Sequence, residues 1–128
     1  MKVLFVCYGN SCRSPMAQAI FNTKMAGSSH SANSAGLSPA EVIQPGTLEV
    51  LTEGGFQTDG LSPQPVTEIL MDTADMVIAM DGWVAEQLNG RADETWDIPD
   101  PYRNPIDSYR RTRDILVKHV DGLISKIK

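Results

Sequence analysis

The sequence has no long apolar run. No stretch approaches the ~20 consecutive apolar residues that a bilayer span requires, so no membrane partner is expected. The opening MKVLFVC run is too short for the core of a secretion signal and passes straight into polar residues, which points to a cytoplasmic protein. Cysteine is scarce: Cys7 and Cys12 are the only two, too few for a disulfide framework. A zinc site would have to join them to His30 and His119, which stand apart from each other, so no metal is expected. There is no GxxxxGK[ST], which excludes the Walker type of nucleotide loop. There is also no repeat, low-complexity tract or linker. The 128 residues are read as a single domain, 1–128.

Charge of one sign is missing as well. Residues 1–40 hold Lys2, Arg13 and Lys24 but no Asp or Glu. Residues 41–90 hold nine acids and no Lys or Arg, and the net charge is -5. That balance argues against nucleic acid as a partner. Chance and a buried first unit account for part of the asymmetry. An anion site within the first forty residues is the functional alternative.

What is present alternates between strand and helix signals. Val3 to Cys7 is a short, β-branched and aromatic run, read as a buried strand. A polar stretch leads to Ser14-Pro15, a helix start, and the helix should stop near Gly27. Ser31 to Ala35 is a short strand. Pro45 to Glu53 and Pro65 to Met71 read as helices, Asp75 to Met80 as a second buried strand, Gly82 to Leu88 as a helix and Thr95 to Ile98 as a strand. Ile106, Tyr109, Leu116, Val120, Leu123 and Ile127 recur at helical steps with a gap at Arg113, which makes the final segment an amphipathic helix. Alternation of this kind implies a parallel sheet between helices, with ligands at the carboxyl ends of the strands.

The loop at that position reads Cys7-Tyr8-Gly9-Asn10-Ser11-Cys12-Arg13-Ser14-Pro15. Gly9 and Asn10 tolerate positive φ, so the chain can curl and turn its amides inward as an anion-binding nest. The helix that follows adds its positive end. Arg13 can grip two oxygens of a tetrahedral oxyanion. The same field favours the thiolate of Cys7, the form that attacks. One loop can therefore bind a dianion and ionise the nucleophile beneath it, as attack on phosphorus through a cysteinyl-phosphate requires. Ser14 is placed to hydrogen-bond the thiolate, and the Asn10 side chain to brace the loop.

Phosphoryl transfer to a thiolate also needs an acid for the leaving group and then a base for water, and one carboxyl can serve both. Asp97 and Asp100, in Trp96-Asp-Ile-Pro-Asp-Pro-Tyr102, are the candidates. Pro99 and Pro101 stiffen that segment.

CYGNSCRSP resembles the phosphate-binding loop of the low-molecular-weight protein tyrosine phosphatases. Ser34-Ala35-Gly36, the strand ending Ala79-Met80-Asp81, and Asp100-Pro101-Tyr102 extend the resemblance over nearly the whole chain. It implies a doubly wound sheet of four parallel strands with flanking helices, and cofactor-free hydrolysis of phosphomonoesters, phosphotyrosine above all. It assigns Cys7 as nucleophile, Arg13 as phosphate ligand and Asp100 as acid. Tyr8, Gly9, Asn10, Ser11, Cys12 and Ser14 then surround the phosphate. Tyr8, Tyr102 and the segment from Leu37 to Ile43 form the walls. A second role for Cys12, a reversible disulfide with Cys7, is implied by the resemblance alone; the residues themselves equally allow simple packing. The implied partner is a phosphotyrosine protein or a small aryl phosphate, acted on by a monomer. Two departures stand out. Arg103 replaces the second Tyr of many members, and Gly55 to Pro65 lacks the His that often braces the loop. The rival functions are an arsenate reductase of the same fold, although residues 72–95 offer no Cys for a thioredoxin relay, and a non-catalytic phosphoprotein reader.

Overall fold

The computed structural model describes residues 1–127. The chain runs β1 Lys2–Cys7, α1 Arg13–Lys24, β2 Ser31–Gly36, α2 Pro45–Glu53, α3 Glu68–Thr73, β3 Met76–Ala79, α4 Gly82–Gln87, β4 Glu94–Thr95 and α5 Ile106–Ile127. The four strands pair in parallel in the order β2-β1-β3-β4. This is the expected doubly wound α/β sheet.

β1 lies inside the sheet, and Val3 to Cys7 are at most 3% exposed. Its alternation divides the two layers. Val3, Phe5 and Cys7 face one core, filled by Met16, Ile20 and Phe21 of α1, Val50 and Leu51 of α2, and Leu116, Val120 and Leu123 of α5. Leu4 and Val6 face the other, with Val77 and Ala79 of β3 and Val84 of α4. Each large apolar side chain so buried contributes roughly 1.5–3 kcal/mol. The strand that ends in Cys7 is therefore anchored on both faces.

From β1 the chain passes to β2 on one side, then crosses to β3 on the other. The crevice at such a switch point opens beyond the carboxyl ends of the strands. Cys7 stands there, opposite Gly36 in the register, with Asp81 just past the end of β3.

Three elements differ from expectation by more than one residue at an end. α1 begins at Arg13, with Cys12 in the cap position and making no side-chain cap. Ser14 lies inside the first turn, its hydroxyl turned to Cys7. α3 begins at Glu68, because Pro65 is drawn into a bridge with Gly36 and Thr67 supplies the cap, accepting from the Leu70 amide. β4 is only Glu94–Thr95. Its pairing continues all the same, through the Trp96 amide to the Ala79 carbonyl and the Ile98 amide to the Met80 carbonyl, until Pro99 ends it. In α5, buried Thr112 fills the gap left at Arg113, and its hydroxyl donates to the Pro99 carbonyl at 3.2 Å.

Candidate active site

The loop from Cys7 to Arg13 is held from outside by its carbonyls. Cys7 O accepts from the Leu37 amide, Tyr8 O from Ser38, Gly9 O from Ala40 and Ser11 O from Gln44, at 2.8 to 3.1 Å. Thr47 Oγ1 also donates to Ser11 O at 2.9 Å. A trans peptide sets each N–H opposite the preceding carbonyl. Carbonyls pulled outward therefore turn the amides of Tyr8, Gly9, Asn10 and Cys12 toward the cavity side. The Asn10 amide shows this directly, donating to Cys7 Sγ at 3.2 Å. The loop approaches β2 so closely that a Cβ on Gly36 would meet Asn10 Cβ and Tyr8 O at 2.9 Å, so only glycine fits there.

Asn10 is fully buried and takes positive φ, 50°, as the curl requires. Its Nδ2 donates to Ser14 Oγ at 2.8 Å and to Ser34 Oγ at 2.9 Å. Its Oδ1 accepts from the Gln64 amide at 2.9 Å. Ser34 and the main chain of Gln64 thus brace the loop, with no His in Gly55 to Pro65. With the amide of Asn10 on Ser14 Oγ, the serine hydroxyl is oriented to donate to Cys7 Sγ, 2.9 Å away.

Arg13 is 5% exposed. Its Nη1 donates to Asp81 Oδ2 at 2.8 Å and to the Ile98 carbonyl at 3.1 Å. Asp81 uses its other oxygen to cap α4, accepting from the Val84 amide at 2.7 Å. Burial opposes ionisation of Asp81. The Arg13 hydrogen bond, the Val84 amide and the Arg13 charge outweigh it and hold the carboxyl below its ordinary range. In the linear sequence Asp81 is marked only as the end of a strand. Its position at the switch point was the available signal for a functional role.

Arg13 Nη2 faces Asp100 Oδ2 at 3.9 Å. The Asp100 side chain is half exposed. Its Oδ1 accepts from the Tyr102 amide, and its carbonyl accepts from Asn104. Asp97 is exposed and lies away from these groups, because Trp96 and Ile98 on either side of it turn into the core. The geometry therefore separates two carboxylates that spacing alone could not.

A cavity of about 330 Å³ joins these parts, lined by Cys7, Tyr8, Gly9, Ser11, Cys12, Arg13, Ser38, Pro39, Ala40, Asp100 and Tyr102. The expected wall from Leu37 to Ile43 narrows to Ser38, Pro39 and Ala40. Leu37 packs instead with the second core. Cys12 is buried beside the loop, its Sγ 3.9 Å from Tyr109 Oη. Burial pushes its thiol pKa up, against weaker opposing hydrogen bonds from Ser11, Thr47 and Tyr109. Both cysteines are free.

The family model described as low molecular weight phosphotyrosine protein phosphatase matches residues 2–128. A protein-arginine-phosphatase of Bacillus subtilis is 34% identical, over 100% of this chain and 97% of that protein. A glutaredoxin arsenate reductase of Synechocystis is 31% identical, over 98% of each. The solved structure of a low molecular weight protein tyrosine phosphatase from T. tengcongensis is similar, with a TM-score of 0.88 and 34% identity over 98% of this chain and 99% of that one. The chain belongs to the low molecular weight phosphotyrosine protein phosphatase family.

Proposed function

We propose that the protein hydrolyses phosphomonoesters, phosphotyrosine in proteins foremost, through a cysteinyl-phosphate intermediate. The observation that carries this is the placement of Cys7 Sγ. It sits at the edge of a nest of amides, with the Ser14 hydroxyl and the Asn10 amide on the sulfur and Arg13 and Asp100 at the same cavity.

The dianion binds on the loop amides and Arg13, whose guanidinium Asp81 holds in place. The Cys7 thiolate attacks phosphorus as the ester P–O bond breaks, and Asp100 gives its proton to the departing oxygen. Water then loses a proton to the Asp100 carboxylate and attacks phosphorus. The S–P bond breaks, phosphate leaves, and the Ser14 hydroxyl donates to the returning thiolate. The thiolate and the carboxyl supply both chemical steps, so no cofactor is called for.

The finer readings are a monomer acting in the cytoplasm on phosphotyrosine proteins or small aryl phosphates. No helix among the described residues is long and apolar enough to cross a membrane. The named relatives motivate two competing substrates, a phosphoarginyl side chain and arsenate, each a tetrahedral oxyanion that the same cradle would fit. A non-catalytic reader would need neither Cys7 nor Asp100 at the cavity.

The deciding experiment compares wild type with Cys7→Ser. The substrates are p-nitrophenyl phosphate, a phosphotyrosyl peptide, a phosphoarginyl peptide, and arsenate with glutathione and glutaredoxin. Turnover of the two aryl phosphates, abolished in Cys7→Ser, is the expected result. Arsenate-dependent thiol consumption without phosphate release would replace this reading with the reductase.

A further inference from the structure

The two Trp, three Tyr and three Phe fall into two groups. Phe5, Phe21, Trp96 and Tyr109 are buried, and Phe56 packs against the same core. Tyr8, Trp83 and Tyr102 are 50%, 54% and 45% exposed. Tyr8 and Tyr102 line the cavity. Trp83 lies outside it, but its ring packs on Tyr8, with centroids 5.9 Å apart and planes at 55°. Single exposed apolar residues are ordinary. Here every exposed aromatic of the chain belongs to the cavity or touches a residue that does.

Helix register explains why the indole points outward. Val84 and Leu88, four apart, are buried in the second core, so Trp83 is turned to solvent. Its backbone is fixed by the Asp81 cap on α4, and Asp81 also holds Arg13. The indole is therefore set in register with the group that binds phosphate.

We infer that Trp83 and Tyr8 form a subsite for an apolar side chain flanking the phosphorylated residue of a peptide substrate, making Trp83 a specificity-determining residue. The inference rests on the phosphatase reading of the cavity. With the phosphorylated side chain against Tyr8, the next site along the rim is the indole, 5.9 Å on. Residues of an extended peptide advance about 3.3 Å each, so a side chain one or two positions away reaches it. Stacking on an aromatic face of this kind amounts to about a two- to tenfold preference.

The test uses short phosphotyrosyl peptides with Phe or Ser at each flanking position, and reads the Phe-to-Ser ratio of kcat/KM within each protein. A general change in activity or folding cancels from that ratio. Wild type should prefer Phe at one flank by about two- to tenfold. Trp83→Ala should lose the preference, and Trp83→Phe should keep most of it. No preference in wild type, or an unchanged preference in Trp83→Ala, overturns the subsite. Turnover of p-nitrophenyl phosphate with no peptide accepted overturns the subsite and leaves the phosphatase standing. No p-nitrophenyl phosphate turnover by wild type removes the phosphatase reading and the subsite with it.

Discussion

Asn10 and Asn104 each sit in a loop that reaches the cavity, and they hold those loops on different terms. Asn10 is fully buried and bonds two serine hydroxyls and a main-chain amide at 2.8 to 2.9 Å. Asn104 is exposed, and its side chain makes one hydrogen bond among the described residues, at 3.4 Å to the Asp100 carbonyl. The rest of each loop follows suit. Between Cys7 and Arg13 four carbonyls are tied to residues 37–47, and Asn10, Ser11 and Arg13 are buried. Around Asp100 the loop is held by two prolines, by the Thr112 hydroxyl on the Pro99 carbonyl, by the Asn104 main-chain amide on the Pro101 carbonyl and by the Tyr102 amide on the exposed Asp100 carboxyl itself. The difference matches the tasks proposed for the two loops. Stabilising charge on a phosphoryl group works best with dipoles fixed before the substrate arrives. Delivering a proton to varied leaving groups tolerates a carboxyl with some freedom.

The largest expected effect tests the division of labour itself. Asp100→Asn should lower kcat on phenyl phosphate by about 10²–10⁴-fold, and by clearly less on p-nitrophenyl phosphate, whose phenolate leaves without help. Equal losses on both would take Asp100 out of the acid role. Asn10→Ala comes next. It strands partners of a buried amide, each worth about 1–3 kcal/mol, and leaves Ala at a positive φ that costs about 1–2 kcal/mol. A stability loss of about 3 kcal/mol or more in urea unfolding is expected, together with a raised KM. A wild-type midpoint would show that the loop does not depend on its interior brace.

Asp81→Asn follows. It leaves Arg13 buried with a weaker partner, and a hydrogen bond to a charged group is worth about 1.5–3 kcal/mol. That corresponds to about a ten- to hundredfold loss in kcat/KM. The Asp81 carboxyl is held below its ordinary range. The support it gives Arg13 is therefore complete above the ordinary carboxylate range, and is lost only as pH falls through the lowered value. The wild-type advantage over Asp81→Asn should be flat at neutral pH and shrink only in strong acid. An advantage that disappears already in the weakly acidic range would mean that Arg13 does not depend on ionised Asp81.

Much of this site is legible in the linear chain because its parts are local. The strand, Cys7, the five-residue curl, Arg13 and the helix lie within a dozen residues, each with its own composition signal. α2 matches its expected span to the residue, since Pro45 opens it and Gly54-Gly55 close it. What spacing could not supply is long-range. Asp81 lies 68 positions from Arg13, and within the acidic middle segment only its place at a strand end marks it out, with no sign of its partner. The brace on Asn10 comes from the main-chain amide of Gln64, a group that every residue but proline carries. Spacing leaves Asp97 and Asp100 as equals and the resemblance alone selects Asp100; the physical difference between them is the in-and-out alternation from Trp96 to Ile98, which continues the pairing with β3 beyond the two residues of regular strand.

The smallest effect is the sharpest probe of the contrast between the loops. Asn104→Ala removes one long, exposed contact to the Asp100 carbonyl, a bond whose loss water can offset. The Asp100 carboxyl keeps its bond from the Tyr102 amide at 3.1 Å and its approach to Arg13. Turnover of p-nitrophenyl phosphate should therefore fall by no more than about twofold, with stability within about 0.5 kcal/mol of wild type. A loss approaching that of Asn10→Ala would mean that the acid loop is as tightly specified as the phosphate loop. In that case the freedom assigned to Asp100 would have to be given up.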